Sequence, residues 1–547
     1  MTLENDENSI RKVVEILQKI QKCSGLKINV NKSYATHLGT DRGSDRILCP
    51  EIKLQWTTEF TLLGIQFNTV ELDRITELNT VKKLEEIKQV FQAYKRRNLS
   101  VLGKITVVKT FAIPKLVHAL SVLPMPNEDF FQKLNEMISC FVWNNKNGKI
   151  SRNLIAQDRE RGGLKLTHIV SFVEALKSRW IKCVQNPENV LSPLFQIFAG
   201  KDLSQVIWAL DKSSVKKVAP QIKSKFWAEV VLTWAKMLEN EVESEDILNH
   251  TMWNAWYIRN VNLIQLKPSL IRKGCIYIAD LLTENCTFMT LQEFRQAFHV
   301  RINWFDFHSL ISSIPGVWKR KIKELQVKPE RGADISMLQK LKDTTKVTQW
   351  VYQMFINQLT ISEKYQVKWH AKLGEISEND WKEYNTIVFK CSQSAKLQAF
   401  QYKIIHGIVC TNKVLKQCGI SMNDNCSFCD SEVETTQHLF VQCLKVKNLW
   451  NQLADWLAPC IDFRIHILDE KTVVLGTLNS CLINWLLLQT KYYIYRCRVR
   501  TENLCIESLK NYLRYEYQVE MVIAKSNEQK MQLFGKKWEA VKNLFAI

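Results

Sequence analysis

The sequence predicts a mainly α-helical chain of several domains, on three observations. Gly and Pro are scarce, at 17 and 11 in 547 residues, which argues against a turn-rich β architecture and for long helices. Apolar residues recur at helical spacing over much of the chain. Hydrophobic residues make up 46% of it, with 17 Trp and 24 Phe, which suits real cores and excludes a largely disordered polymer. At this length three to four domains are expected.

Lys and Arg outnumber Asp and Glu, 75 to 55, and the pI is near 9.2. Such an excess points to a polyanionic partner, nucleic acid ahead of an anionic membrane surface. No apolar run approaches the roughly 20 residues that a membrane helix needs, and Cys481 to Leu488 is among the longest. The first residues lack the charged and apolar regions of a secretory signal. The 16 cysteines therefore read as reduced thiols of an intracellular protein, in nucleus or cytoplasm, with no membrane partner.

Residues 8–23 form an amphipathic helix pattern with Ile10, Val13, Val14, Leu17 and Ile20 on one face. Cys23-Ser24-Gly25 ends it, Gly25 being suited to a left-handed cap. Strands are expected at Leu26 to Val30 and at Phe60 to Phe67, with Gly64 allowing close backbone approach in the second. Thr80 to Leu120 reads as helical and basic. Lys82, Lys83, Lys88, Lys95, Arg96, Arg97, Lys104, Lys109 and Lys115 stand there against only Glu85 and Glu86. Solvated helix faces normally mix signs, so this stretch is read as a surface for phosphate backbones.

Arg152, Arg159, Arg161 and Lys165, with the Gly162-Gly163 turn, form a second basic loop. Residues 170–350 carry helical patterns rich in Trp, including Trp180, Trp208, Trp227, Trp234, Trp253, Trp256, Trp304 and Trp318. At helical spacing these read as core before they read as base-stacking platforms. Residues 239–246 form an acidic loop pattern, and residues 325–345 a polar linker. Leu397, Phe400, Ile404 and Ile408 share a helix face, and His406, Cys410 and Cys418 nearby read as ordinary residues ahead of metal ligands.

The most specific motif is Cys426, Cys429, His438 and Cys443, spaced C-x2-C-x8-H-x4-C. Three thiolates and an imidazole satisfy tetrahedral zinc, and four protein ligands leave no open position, so the metal is structural. Leu439 and Phe440 would pack under it. Val446, Leu449, Trp450, Leu453, Trp456 and Leu457 continue as a helix. Beyond lies a stretch where Tyr492, Tyr493 and Tyr495 interleave with Lys491, Arg496, Arg498 and Arg500. Arg and Tyr can both stack on bases. A core helix with one charged face accounts equally well for these residues.

Several segments taken in order carry a family resemblance. ENSIRKVVEILQKIQKCSGLKINVNKS, FTLLGIQF, LSVLGKITVVKTFAIPKLVHALSVLPMP and FVWNNKNGKISRNLIAQDRERGGLKLTHI resemble the end of the palm and the thumb of LINE-type (non-LTR) retrotransposon reverse transcriptases. MWNAWYIRN, IRKGCIYIADLLTENCTFMTLQEF, LQAFQYKIIHGIVCTNKVL and CSFCDSEVETTQHLFVQC resemble the region after the thumb, down to the zinc-binding module. The resemblance implies a small α+β palm remnant at 1–75 and a thumb-like basic region at 76–168. A helical post-thumb region at 169–335, helices with the CCHC knuckle at 336–458, and a basic helical segment at 459–547 complete the expected order.

It further implies that Lys32 matches a lysine that helps pyrophosphate leave, and that Leu63, Gly64 and Ile65 match a primer grip. A strand with a solvated Lys32 is the plain alternative. Nucleotidyl transfer needs paired aspartates holding two metal ions, which the family carries on a Tyr-x-Asp-Asp turn. This chain has no Asp-Asp pair and starts about where that turn should end. It is therefore expected to bind RNA or an RNA–DNA hybrid without polymerising alone. Mg is expected only if a catalytic palm completes it. The alternative is a fragment of an active RNA-directed DNA polymerase whose N-terminal part is encoded upstream or supplied in trans. Pro459, Asp462 and Asp469-Glu470-Lys471 loosely match a nuclease metal site, at spacing too short to carry weight. A scaffold whose basic surfaces bind protein is a further class that nothing in the residues favours.

Overall fold

The computed structural model describes residues 7–26, 29, 33–36, 55–144, 150–186, 188–199, 215–216, 219–238, 247–249, 269–270, 273–275, 277–325, 337–362, 364–478 and 480–545. These are mainly helical, with two small two-stranded sheets. Lys32, Trp208, Trp253, Trp256, the acidic loop and much of the expected linker lie outside the described residues. Among those described, no single helix is long and apolar enough to cross a membrane.

Two compact units are interleaved along the chain. One comprises Met1–Val90, Ala112–Leu134 and Phe172–Tyr352, the other Phe91–Phe111, Asn135–Ser171 and Gln353–Ile547.

In the first unit the helix Glu7–Ser24 ends on Gly25 at φ 71°, as its sequence requires. The single strand expected over Phe60 to Phe67 is instead a hairpin, Glu59–Leu62 paired antiparallel with Ile65–Asn68. Leu63 and Gly64 form its two-residue turn, with φ of 49° and 79°. Two positive φ values match the right-handed twist of the flanking strands, and Gly64 takes its share without cost. Asn79 acts as a surrogate strand: its Oδ1 accepts from Gln66 N at 2.8 Å and its Nδ2 donates to Gln66 O at 2.7 Å. Ile65 packs with Ala119 and Leu123. Deeper in this unit the wholly buried Lys177 donates to Leu123 O, 3.6 Å from Glu229, whose carboxylate accepts from Met125 N at 2.8 Å. Trp227 and Trp234 are core, as expected, whereas Trp304 is exposed.

The second unit is built around the helix Cys481–Arg500, which packs against Glu378–Cys391, Ala395–Ile405 and Ile506–Ala524. Every residue from 482 to 491 is buried, apolar and polar alike, Leu482, Ile483, Trp485, Leu486 and Leu487 among them. The loop at 157–163 docks on Glu378–Cys391, and its glycines let it close on itself and on Tyr365. A Cβ on Gly163 would sit 2.0 Å from Gln157 O, and one on Gly162, at φ 76°, would sit 2.5 Å from the Tyr365 hydroxyl. Asn385 Nδ2 donates to Glu160 O at 3.1 Å, and the Arg159 guanidinium lies 3.9 Å over the Phe389 ring.

Lys491 sits in the middle of that central helix, wholly buried, donating to Gln401 Oε1 and Val474 O, both at 2.9 Å. Burial pushes its pKa down to about 7, against roughly 10.4 for an unfolded lysine. Below the folded value both states carry the proton, and the cost of burying the charge is present in full. Between the two values only the unfolded chain holds the proton, so stability rises with pH across that window. The unfolding midpoint of this unit should therefore increase from pH 7 to 9, by at most about 1.4 kcal/mol per pH unit. In Lys491→Met that increment should vanish; an unchanged slope in denaturant titrations of the variant would refute the assignment.

Candidate metal centre

The Cys426–Cys429 turn is made by backbone hydrogen bonds. Cys426 N donates to Glu432 O at 2.7 Å and Asp430 N to Cys426 O at 2.9 Å. Asp430 takes φ 57° to close the turn. An isolated antiparallel bridge, Asn425 to Val433, clamps its base. His438 opens a π-helical turn, His438–Gln442, and Cys443 N donates to His438 O at 2.9 Å. Cys443 then stands at the N-cap of the helix Leu444–Leu457. Leu439 and Phe440 are fully buried, and Trp450 Nε1 donates to Phe440 O at 2.9 Å.

These elements bring one ligand atom from each of Cys426, Cys429, His438 and Cys443 within 4.8 Å of one another. Cys426 Sγ lies 3.9 Å from Cys443 Sγ, and Cys429 Sγ lies 3.3 Å from His438 Nε2. A tetrahedral zinc has edges of about 3.8 Å between sulfurs and about 3.5 Å between sulfur and nitrogen, from its bond lengths. These two edges match a zinc tetrahedron, and with all four atoms within 4.8 Å of one another the set closes on the ion with side-chain shifts of about 1 Å or less. A hydrogen bond from the Cys426 thiol holds the Cys443 pKa down at about 7, helped by N–H groups of the helix start. The same bond pushes Cys426 up to about 12. Zinc, by contrast, would take both sulfurs as thiolates and release their protons.

Residues 351–450 match a family model described as zinc-binding in reverse transcriptase. The matched span contains all four ligands and ends within the helix that begins at Cys443. This portion is a reverse-transcriptase-associated zinc-binding region with a structural zinc site. His406, Cys410 and Cys418 stand outside the ligand group. His406 is buried against Tyr365 and Tyr402, and burial lowers its pKa to about 4.

The second coordination layer was not expected. Glu434, fully buried between the ligand pairs, accepts from Asn412 N and Arg498 Nε through Oε1, each at 2.8 Å. Its Oε2 accepts from Ser427 N at 2.9 Å and Ser427 Oγ at 2.8 Å. Ser427 lies inside the C-x2-C turn, so the carboxylate positions two ligands while Arg498 ties it to the central helix. Arg498 NH2 also donates to Asn412 Oδ1 at 2.6 Å. Local spacing does not mark Glu434, because two of its three partners lie 22 and 64 residues away.

Four residues expected at a nucleic-acid surface are thus internal, the buried Lys491 among them. Arg498 is 7% exposed and ion-paired to Glu434. Tyr493 is buried, its hydroxyl donating to Cys505 O at 3.0 Å. Lys104 is buried and donates to Phe141 O at 2.8 Å and to Asn144. Tyr492 and Arg496 are half-buried, and Arg500 is exposed. Lys82, Lys88, Lys95, Arg96, Arg97, Lys109, Arg152, Arg159 and Arg161 face solvent. Lys83 pairs with Glu86 at 2.8 Å and Lys88 with Glu85 at 3.4 Å. Leu63 is 86% exposed at the hairpin tip, where its carbonyl lies 2.8 Å from His118 Nε2, while Ile65 is buried beneath it. The nuclease-like set does not converge: Asp469 caps its own helix, accepting from Lys471 N and Thr472 N, and Lys471 lies over Tyr384.

Two outcomes follow from this geometry. The purified chain should carry one zinc, and Cys429→Ser should lose it; a variant retaining full zinc by elemental analysis would refute the ligand set. Arg498→Ala leaves the Glu434 charge buried without its partner, which costs about 3–5 kcal/mol in comparable pairs. Glu434→Gln combined with Arg498→Met should recover much of that loss in denaturant unfolding, because no unpaired charge remains.

Proposed function

We propose that this chain is the nucleic-acid-holding C-terminal portion of a LINE-type reverse transcriptase, one that binds RNA or an RNA–DNA hybrid and does not polymerise alone. The match of the zinc region supports the reverse-transcriptase part of this reading. The sequence holds no Asp-Asp pair to carry the two catalytic metal ions. Zinc in this reading is scaffolding, and Mg enters only with a catalytic palm from elsewhere.

The observation that carries the binding is a cluster of cations in the same unit as the zinc region. Lys109, on the segment Phe91–Phe111, has its pKa lowered first by burial and then by repulsion from Lys165 and Arg159 of the docked loop. Asp158, paired with Lys165 at 2.8 Å, is the acidic group that meets them. Like charges from separate segments gathered at the surface repel, and phosphates relieve that repulsion. Arg161 of the same loop and Arg152, at the start of the short helix Arg152–Ala156, face solvent, with Arg159 over Phe389 as the loop's anchor.

Affinity for an RNA–DNA hybrid should fall steeply with salt. In Lys109→Gln/Arg161→Gln the slope of log K against log salt should drop by about one per lost phosphate contact. Fluorescence anisotropy across a salt series reads this directly. A slope equal to that of the unmodified chain would remove these residues from the interface.

A further inference from the structure

The first unit contains a cleft of about 890 Å³ that neither the zinc region nor the hairpin uses. Its walls come from the C-terminal half of the helix Ile169–Gln185, the end of Met337–Asp343, and the start of Val347–Asn357. Among the described residues four cations line it, Arg179, Lys182, Lys342 and Lys346, and no acidic side chain does. Lys182 is already committed: its ammonium donates to Lys342 O at 2.6 Å and Thr344 O at 2.7 Å. That pair of bonds joins the two walls and fixes the width of the cleft. Arg179, Lys342 and Lys346 are exposed, with no ion pair to a carboxylate among the described residues.

Gln185 separates this cleft from the rest of a basic surface. Both its Nε2 and Oε1 are shielded from solvent and have no hydrogen-bond partner among the described residues, and the residue lines the cleft. A buried amide without partners is costly to leave unmade, and this one faces a cleft open to a ligand that could supply them. A bare anion could satisfy only the donor. A ligand that also brings a donor, such as a base edge or a ribose hydroxyl, satisfies both atoms. The volume is well beyond that of a lone phosphate and lies within the range of small-molecule sites. The first turn of Val347–Asn357 contributes N–H groups and the positive end of a helix dipole to the same space.

We propose that this cleft binds a nucleotide-sized phosphate ligand, with its phosphate on Arg179, Lys342 and Lys346 and its base edge or ribose on Gln185. The chemistry is shared by a free nucleoside phosphate and by one or two residues of a single strand, and the experiment separates them. The proposal stands apart from the binding surface above, which belongs to the other unit and is read out by Lys109 and Arg161.

Cys183 lines the cleft and is partly accessible, which gives a readout in the unaltered chain. Its alkylation rate by iodoacetamide, followed by peptide mass spectrometry, should fall at least fivefold with saturating ADP or with a 5′-phosphorylated tetrathymidylate. Protection by ADP identifies the free nucleotide as sufficient; protection by the oligonucleotide alone identifies a strand. Arg179→Ala/Lys346→Ala should weaken the protecting probe at least tenfold, with Lys109→Gln/Arg161→Gln leaving it unchanged. Gln185→Leu should weaken ADP severalfold while leaving inorganic pyrophosphate unaffected. Absence of Cys183 protection by both probes would overturn the proposal. So would protection that the Arg179/Lys346 variant retains, and equal effects of Gln185→Leu on ADP and pyrophosphate would overturn its nucleotide part.

Discussion

The Glu434 carboxylate is the constraint that turns a zinc loop into part of a larger unit. A metal ion organises only its own ligands, and the four donors here lie within eighteen residues of sequence. Glu434 reaches beyond them, to Asn412 on one side and Arg498 on the central helix on the other. A buried charge pair is a poor source of net stability, since desolvation cancels much of its attraction. Its value lies in geometry. The carboxylate is satisfied only when the C-x2-C turn, the Asn412 helix start and the end of Cys481–Arg500 are all in place.

The parts of this molecule that were legible in sequence are those whose causes are local. The helix Glu7–Ser24 follows from five apolar residues at helical spacing, and Gly25 closes it as expected. The ligand set follows from spacing alone, because a turn and a helix start place all four donors. The hairpin was only half visible. Leu63-Gly64 lacks the Asn-Gly or Asp-Gly signature of a tight turn, and the bonds that pin it come from Asn79 and His118. Lys104 and Arg498 read as surface cations because their neighbours in sequence are cationic. Their partners, Phe141 and Glu434, lie 37 and 64 residues away.

This bears on what a formal charge of +20 means. Lys104, Lys177, Lys491 and Arg498 are all internal, each bonded to carbonyls, amides or a carboxylate. Their long apolar stems pack as core while the heads find acceptors. The cations that can meet a partner are correspondingly fewer than the formal charge suggests. Positive charge in this chain does two jobs, and only tertiary structure separates them.

The interleaving of the two units has a consequence for synthesis. The segments Phe91–Phe111 and Asn135–Ser171 leave the ribosome long before Gln353–Ile547, with which they form one unit. At about 5–20 residues per second, the delay between Ser171 and Ile547 is on the order of tens of seconds. During that interval Val107, Val108, Leu154 and Ile155, all buried in the finished protein, have no native neighbours from Gln353–Ile547. The unit containing the zinc region can therefore be completed only after the last of its three segments has been made.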